Sequence, residues 1–319
     1  MRFFDETAAN AAREWQNGLT KPQGSLGRLE DLAVFMAGWQ GNPRPRLDRA
    51  QAVVFAGNHG IVAQGVNPFP AEVTALMVKN FDAGGAAINQ LCRVAGADLS
   101  VVSLDLDRPT GDFTQGPAMS AAEVDAAIDA GAAAVDADAD VLILGEMGIG
   151  NSTIAAIQAA AVCGGGADEW VGPGTGATGE ILANKRRSVA EGLARHQPAT
   201  ARETLAAFGG REQAAICGAV LRARELGLPV ILDGFICTAA ASVLTRDDPQ
   251  ALTHCLIGHA SAEPGHRRLI EALKMSPVLS LDMRLGEGSG AAVALMVLRA
   301  AIECHNGMAT FAELGIGPA

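Results

Sequence analysis

The chain has 319 residues, 49% of them apolar and only 4% aromatic, with no tyrosine and a formal net charge of −11. That length suits one large α/β domain plus a smaller subdomain. No basic run is longer than Lys185-Arg186-Arg187, which disfavours nucleic acid or an anionic membrane as partner, since both need a concentrated basic footprint.

The opening residues Met1 to Glu6 lack the apolar core of a signal peptide, and every apolar stretch is broken by charges or glycines before it could span a bilayer. The cysteines (Cys92, Cys163, Cys217, Cys237, Cys255, Cys304) are scattered with no C-x-x-C pair, the pattern of reduced, buried thiols. A soluble protein of the reducing cytoplasm is the expectation.

From Thr7 to Trp39 the period is helical, broken by the turn Lys21-Pro22-Gln23-Gly24-Ser25, and Asn42 to Arg46 reads as an extended linker. Residues 1–45 are therefore expected to form the N-terminal part of a small helical domain. From Ala50 the pattern changes. Ala52 to Ala56 is an apolar strand ending in Gly57-Asn58-His59-Gly60, and Ala71 to Leu91 is helical around Gly84-Gly85. Leu99 to Leu104 is a second strand, and Ser120 to Val135 a helix opened by a capping box of Ser120 and Glu123. Val141 to Leu144, Pro229 to Leu232 and Thr253 to Ile257 complete the strands. Strands alternating with helices predict a doubly wound, mainly parallel α/β sheet with helices on both faces, over residues 46–290. Residues 291–319, an apolar helix and tail, are expected to join the small domain and the active site.

The stretch Gly145 to Thr153 stands out. A buried strand, a Gly-rich turn and an Ala-rich helix present backbone amides and a helix N-terminus, a common cradle for phosphate. Its spacing nearly matches a P-loop, but Asn151 stands where the lysine belongs, which favours a monophosphate or ribose over a triphosphate. Glycines at such a turn also serve simply to turn the chain. In a parallel sheet Asn58-His59, Asp105, Asp107, Glu146, Asn151, Asp233, His259 and Glu263 would converge on one edge, where α/β proteins bind ligands.

No histidine has metal-site spacing and no G-x-S-x-G elbow occurs, so neither a metal nor a serine nucleophile is expected. No cofactor is called for. The carboxylates are better prospects. Glu313, among Phe311, Leu314 and Ile316, would have a raised pKa if buried, although a solvent-facing glutamate is the commoner outcome near a chain end. Glu169 precedes the turn Gly172 to Gly176, and Glu287 lies between Gly286 and Gly288 in a Gly-rich loop that opens the last helix.

Taken together, Lys21 to Glu30, Phe55 to Gly60, Val73 to Ile88, Gly145 to Asn151, Leu232 to Phe235, Ser261 to Glu263 and Met283 to Gly290 resemble one family over nearly the whole chain: nicotinate-nucleotide–dimethylbenzimidazole phosphoribosyltransferase. The resemblance implies transfer of phosphoribose from nicotinate mononucleotide to 5,6-dimethylbenzimidazole. The products would be nicotinate and α-ribazole 5′-phosphate, for the cobalamin lower ligand. It also implies a large parallel domain, a small helical domain built from both chain ends, and a homodimer. It assigns Glu313 as catalytic base and Glu169 as a second catalytic glutamate. The mononucleotide would be bound by Gly145, Glu146, Gly148, Gly150 and Asn151, by Gly174, Thr175 and Gly176, and by Glu287 and Gly288. Phe69 and Leu76 would line the base pocket, where many members carry Gln at the second position. Other possibilities are a non-catalytic nucleotide sensor and a dinucleotide oxidoreductase, the latter disfavoured by the lack of a complete G-x-G-x-x-G after any strand.

Overall fold

The computed structural model describes residues 2–315. Its first half runs α1 (Glu6–Gly18), α2 (Arg28–Gln40), β1 (Ala50–Ala56), α3 (Glu72–Asp82), α4 (Ala87–Ala95), β2 (Ala97–Ser103), α5 (Ala121–Ala133), β3 (Val141–Met147) and α6 (Asn151–Cys163). The second half runs α7 (Ala167–Trp170), α8 (Gly179–Arg195), α9 (Ala201–Phe208), α10 (Arg211–Leu226), β4 (Val230–Leu232), α11 (Phe235–Ser242), β5 (Cys255–His259), α12 (Pro264–Leu273), β6 (Pro277–Leu279) and α13 (Ser289–Gly307).

The strands form one parallel sheet in the order β2-β1-β3-β4-β5-β6. The central strands are apolar because both faces are covered. Leu142 and Leu144 pack toward Val124, Val220 and Cys237 of α5, α10 and α11. Their neighbours Val141 and Ile143 pack on the opposite side, with Met36, Ile88 and Leu298 of α2, α4 and α13. Each such side chain contributes about 2 kcal/mol by leaving water. Chain order reverses between β1 and β3, which opens a crevice at the carboxyl ends of the strands.

The doubly wound parallel α/β sheet is as expected, with several refinements. The helical region before β2 splits into α3 and α4, because Gly84 adopts φ +76° and Asn89 accepts the Ala86 amide at 3.0 Å to start a new helix. Strand β3 extends to Met147, so Gly145 and Glu146 belong to the strand and the turn shrinks to Gly148-Ile149-Gly150. Helix α10 buries Arg211, Glu212, Gln213 and Arg224 beside Ile216 and Val220. Its inward face therefore has no clean apolar signature. At the amino end, Asp5 caps α1 by accepting the Ala8 amide, and α1 presses Ala9 and Ala12 onto Val34 and Ala37 of α2. Among the described residues no helix is long and apolar enough to cross a membrane.

Candidate active site

The carboxyl ends of β3, β4 and β5, with the segment before α13, border an open cleft of about 710 Å³, the space at its mouth included. Strand β3 delivers Glu146 to it. Gly145 allows the facing loop to come close, since a Cβ there would lie 2.5 Å from the Glu287 carbonyl oxygen. A Cβ at Gly148 would meet the Gly57 carbonyl at 2.6 Å. Gly150, at φ +94°, then turns the chain into α6. The Asn151 side chain donates to the Glu146 carboxylate, and Gln213 Nε2 holds the Asn151 carbonyl at 3.1 Å.

The positive charge missing from position 151 arrives from another element. Lys185 of α8 is buried, with Nζ 3.0 Å from both Ser152 Oγ and the Gly172 carbonyl. Burial pulls its pKa down to about 8, against the charge of Glu263. The Gly172–Gly176 turn is therefore pinned from behind, while Arg284 Nη1 holds the Gly174 carbonyl at 3.1 Å. Gly174 must be glycine: its φ is +56°, and a Cβ would sit 2.9 Å from Ser152 Oγ.

Opposite this turn lies a group of buried acids. Glu287 sits at φ +65° between two glycines at φ +87°, and one of its carboxylate oxygens has no hydrogen-bond partner. Non-glycine residues in that region are uncommon and cluster at functional sites. Burial raises its pKa; an amide hydrogen bond from Ile88 opposes this, and the charge of Asp233 adds to it. Glu146 is pushed well above the usual carboxylate range, first by burial and then by the charges of Asp233, Glu212 and Glu287. Asp233 is raised to about 7 by burial, although it accepts the Gly288 and Ala291 amides at 3.2 and 2.9 Å. His259 Nε2 lies 3.7 Å from Asp233 Oδ1, and burial lowers the imidazole pKa. The cleft thus holds Arg284, with Lys185 behind Ser152, together with carboxylates of raised proton affinity.

Of the residues singled out from sequence, Glu146, Gly148, Asn151, Gly174, Thr175 and Glu287 line the cleft together. Gly145 packs against the Glu287 backbone and Gly150 against Val62, both outside the lining, and Gly176 is exposed at the end of its turn, also outside it. The Gly288 amide is already taken by Asp233. Phe69 and Leu76 are exposed outside the lining, where Asn67 stands instead. Glu169 caps short α7 through the Gly166 amide at 2.9 Å and pairs with Arg268, away from the cleft.

Glu313 is exposed, and its carboxylate accepts the Thr310 amide and hydroxyl at 2.7 and 3.1 Å. Those bonds lower its pKa, so the burial on which a raised value depended is not met here. Its neighbour Ile316 lies outside the described residues. Thr310 is bridged to Leu19, at the far end of α13 from the cleft. That helix is about 28 Å long at 1.5 Å per residue.

Of the strand-end residues, Asp233, His259 and Glu263 do reach the cleft with Glu146 and Asn151. His59 turns inward to a buried pair with Glu212 at 3.1 Å, and Asp105 pairs with Arg108 at the surface. Lys185 had no signal beyond its place in the basic run Lys185-Arg186-Arg187, which ordinarily faces solvent, and Arg284 was marked only as part of the Met283 to Gly290 motif.

A family model described as phosphoribosyltransferase matches residues 1–316. The chain is 62% identical over 312 residues to a nicotinate-nucleotide–dimethylbenzimidazole phosphoribosyltransferase of Rhodobacter capsulatus, covering 98% of this chain and 93% of that protein. A relative of the same name from Ruegeria pomeroyi is 57% identical over the same shares. The crystal structure of CobT from Thermus thermophilus superposes with a TM-score of 0.92 at 41% identity, covering 98% of this chain and 100% of that one.

Proposed function

Because the chain belongs to the nicotinate-nucleotide–dimethylbenzimidazole phosphoribosyltransferase family, we propose that it moves phosphoribose from nicotinate mononucleotide to 5,6-dimethylbenzimidazole or a closely related base. Nicotinate leaves, and α-ribazole 5′-phosphate is made for the cobalamin lower ligand. The observation that carries the residue assignment is the buried Glu287, held at φ +65° in the cleft with an unpartnered carboxylate oxygen.

The chemistry suits such a group. Nicotinate departs from a pyridinium, so the electron pair of the breaking C1′–N bond neutralises a positive charge and no general acid is needed. One benzimidazole nitrogen forms the new bond to C1′ from the opposite face, which turns a β-linkage into an α-linkage. The other nitrogen must release its proton, and a carboxylate of modestly raised pKa is the matching acceptor. We assign that role to Glu287, with Glu146 beside it as the more strongly protonated partner, a division set by their different environments. The 5′-phosphate is assigned to the Gly174-Thr175-Gly176 turn, Ser152 and Arg284, with Lys185 behind them. Positioning by these groups would supply much of the acceleration. Glu313 and Glu169, the residues that the family resemblance suggested, lie outside this constellation in the protomer.

The helical part from both chain ends, 1–45 with 291–319, is supported by Gln16 and Trp15 of α1 bonding to His305 of α13 at 2.7 and 2.8 Å. A homodimer is supported by exposed Leu76, Leu281 and Leu285. The unbridged cysteines suit a reducing cytoplasm.

Incubating the protein with nicotinate mononucleotide and dimethylbenzimidazole should release nicotinate. Folded protein that releases none refutes the activity. Glu287→Gln should cut kcat by about 10²–10⁴-fold, and by more than Glu313→Gln does. The reverse ranking would return the base to Glu313.

A further inference from the structure

The turn between β3 and α6 lines the cleft with Gly148, Ile149 and Asn151, and three other elements hold it from behind. A Cβ at Gly148 would lie 2.7 Å from His59 Nε2, so a glycine is what lets that imidazole come so close. The Ile149 amide donates to Thr74 Oγ1 of α3 at 3.1 Å, and Gln213 Nε2 of α10 holds the Asn151 carbonyl at 3.1 Å. The Asn151 amide turns back onto the Gly148 carbonyl at 3.1 Å. With those two amides taken, the turn contributes its shape to the cleft.

Of these supports, only the one at His59 is built from ionisable groups. His59 Nε2 lies 3.1 Å from Glu212 Oε1, and both side chains are wholly buried. A Cβ at Gly57 would lie 2.4 Å from Glu212 Oε2, so glycines on both sides make room for the pair. Among the described residues, His59 Nδ1 and Glu212 Oε2 are buried with no hydrogen-bond partner, so each side chain has only the other. Glu212 sits beside Gln213 in the first turn of α10, and its charge reaches Glu146. Attraction within a buried pair does little more than offset the loss of hydration, so stability alone is a weak reason for two such groups here.

We propose that His59 and Glu212 are a positioning pair for the transfer reaction: locked together beneath Gly148, they fix the turn between β3 and α6, and with it Glu146 and Asn151, against the bound nucleotide. The inference rests on reading the cleft as the site of phosphoribosyl transfer. It does not depend on which carboxylate takes the acceptor's proton.

The test is steady-state kinetics of nicotinate release by the full chain, with a melting curve for each variant. His59→Met and Glu212→Met fill similar volumes without the polar contact, whereas His59→Gln keeps an N–H for Glu212. In the folded Met variants, kcat/KM for nicotinate mononucleotide should fall about tenfold to a hundredfold. Part of that fall should be a rise in KM, which a smaller folded fraction cannot produce. His59→Gln should recover most of the loss. Should the single Met variants not fold, His59→Met combined with Glu212→Met decides, because replacing both partners strands no buried charge; it should show the same loss. Wild-type kinetics in any folded Met variant overturns the positioning role, as does a loss with KM unchanged or no recovery in His59→Gln. Wild-type protein that releases no nicotinate overturns the transfer reading itself, and the positioning role with it.

Discussion

Two buried ionisable side chains carry the testable physics at the residue scale. Asp233 has its pKa raised to about 7 from 3.8. The folded state therefore keeps a proton that the unfolded chain gives up, and the stabilising effect of neutral Asp233 is full below about pH 4. It is lost as pH rises through 7. The melting temperature of wild type relative to Asp233→Asn should consequently decline from pH 4 to pH 8, with roughly 4 kcal/mol as the upper bound on the difference. A difference that does not change with pH would mean that Asp233 ionises normally. Lys185 is the second case. Its ammonium ties Ser152 of α6 to the Gly172 carbonyl, and hydrogen bonds to a charged group contribute about 1.5–3 kcal/mol each. Lys185→Met should raise the KM for nicotinate mononucleotide at least about tenfold, while kcat changes less. Loss of kcat alone would argue against a role in holding the donor.

Close packing of elements depends on a few glycines. Helices α5 and α10 cross where Gly131 meets the Ala215 carbonyl and Gly218 meets the Ile128 carbonyl, at 1.8 and 1.9 Å from an added Cβ. Neither carbonyl can yield without moving a helix. Gly218→Ala should destabilise the protein by about 1–3 kcal/mol or more, read as a fall in melting temperature. The cleft lies beyond the β-strand ends, so the nucleotide KM of the folded variant should hold. The tie between α1 and α13 works differently. His305 is buried and its ring nitrogens face Gln16 Nε2 and the Pro43 carbonyl. His305→Ala leaves both groups without a partner, at about 1–3 kcal/mol. Because His305 is at the opposite end of α13 from Glu287, that loss should appear in thermal melts and spare the acid limb of kcat.

Over the whole molecule, the parallel sheet brings the ends of β3, β4 and β5 to one edge, and the cleft lies there. The chain winds outward in both directions from the β1–β3 pair. The proposed homodimer belongs to this scale. Light scattering at micromolar concentration should return about twice the 32.6 kDa chain mass, and a monomeric mass would leave the exposed leucines without that explanation.

Much of this was legible beforehand. Alternation of apolar strands with helices is a local property, so Val141 to Leu144 and the Ser120 capping box announced β3 and α5 from sequence alone. The order of short motifs sufficed for the family, and most of them lie at the end of a strand or the start of a helix. Which carboxylates are buried was not legible in the same way. Glu313 and Glu287 are both glutamates in apolar or Gly-rich surroundings, and sequence neighbours could not say which is buried. Burial depends on what packs across the chain: Asp233 reaches Gly288, and Lys185 reaches Ser152, over distances of 55 and 33 residues. The sequence by itself determined the parallel α/β sheet and the phosphoribosyl-transfer family. Only the tertiary structure decided which carboxylates share the cleft, because proton affinity follows desolvation and neighbouring charge, and both arise from contacts between residues far apart in the chain.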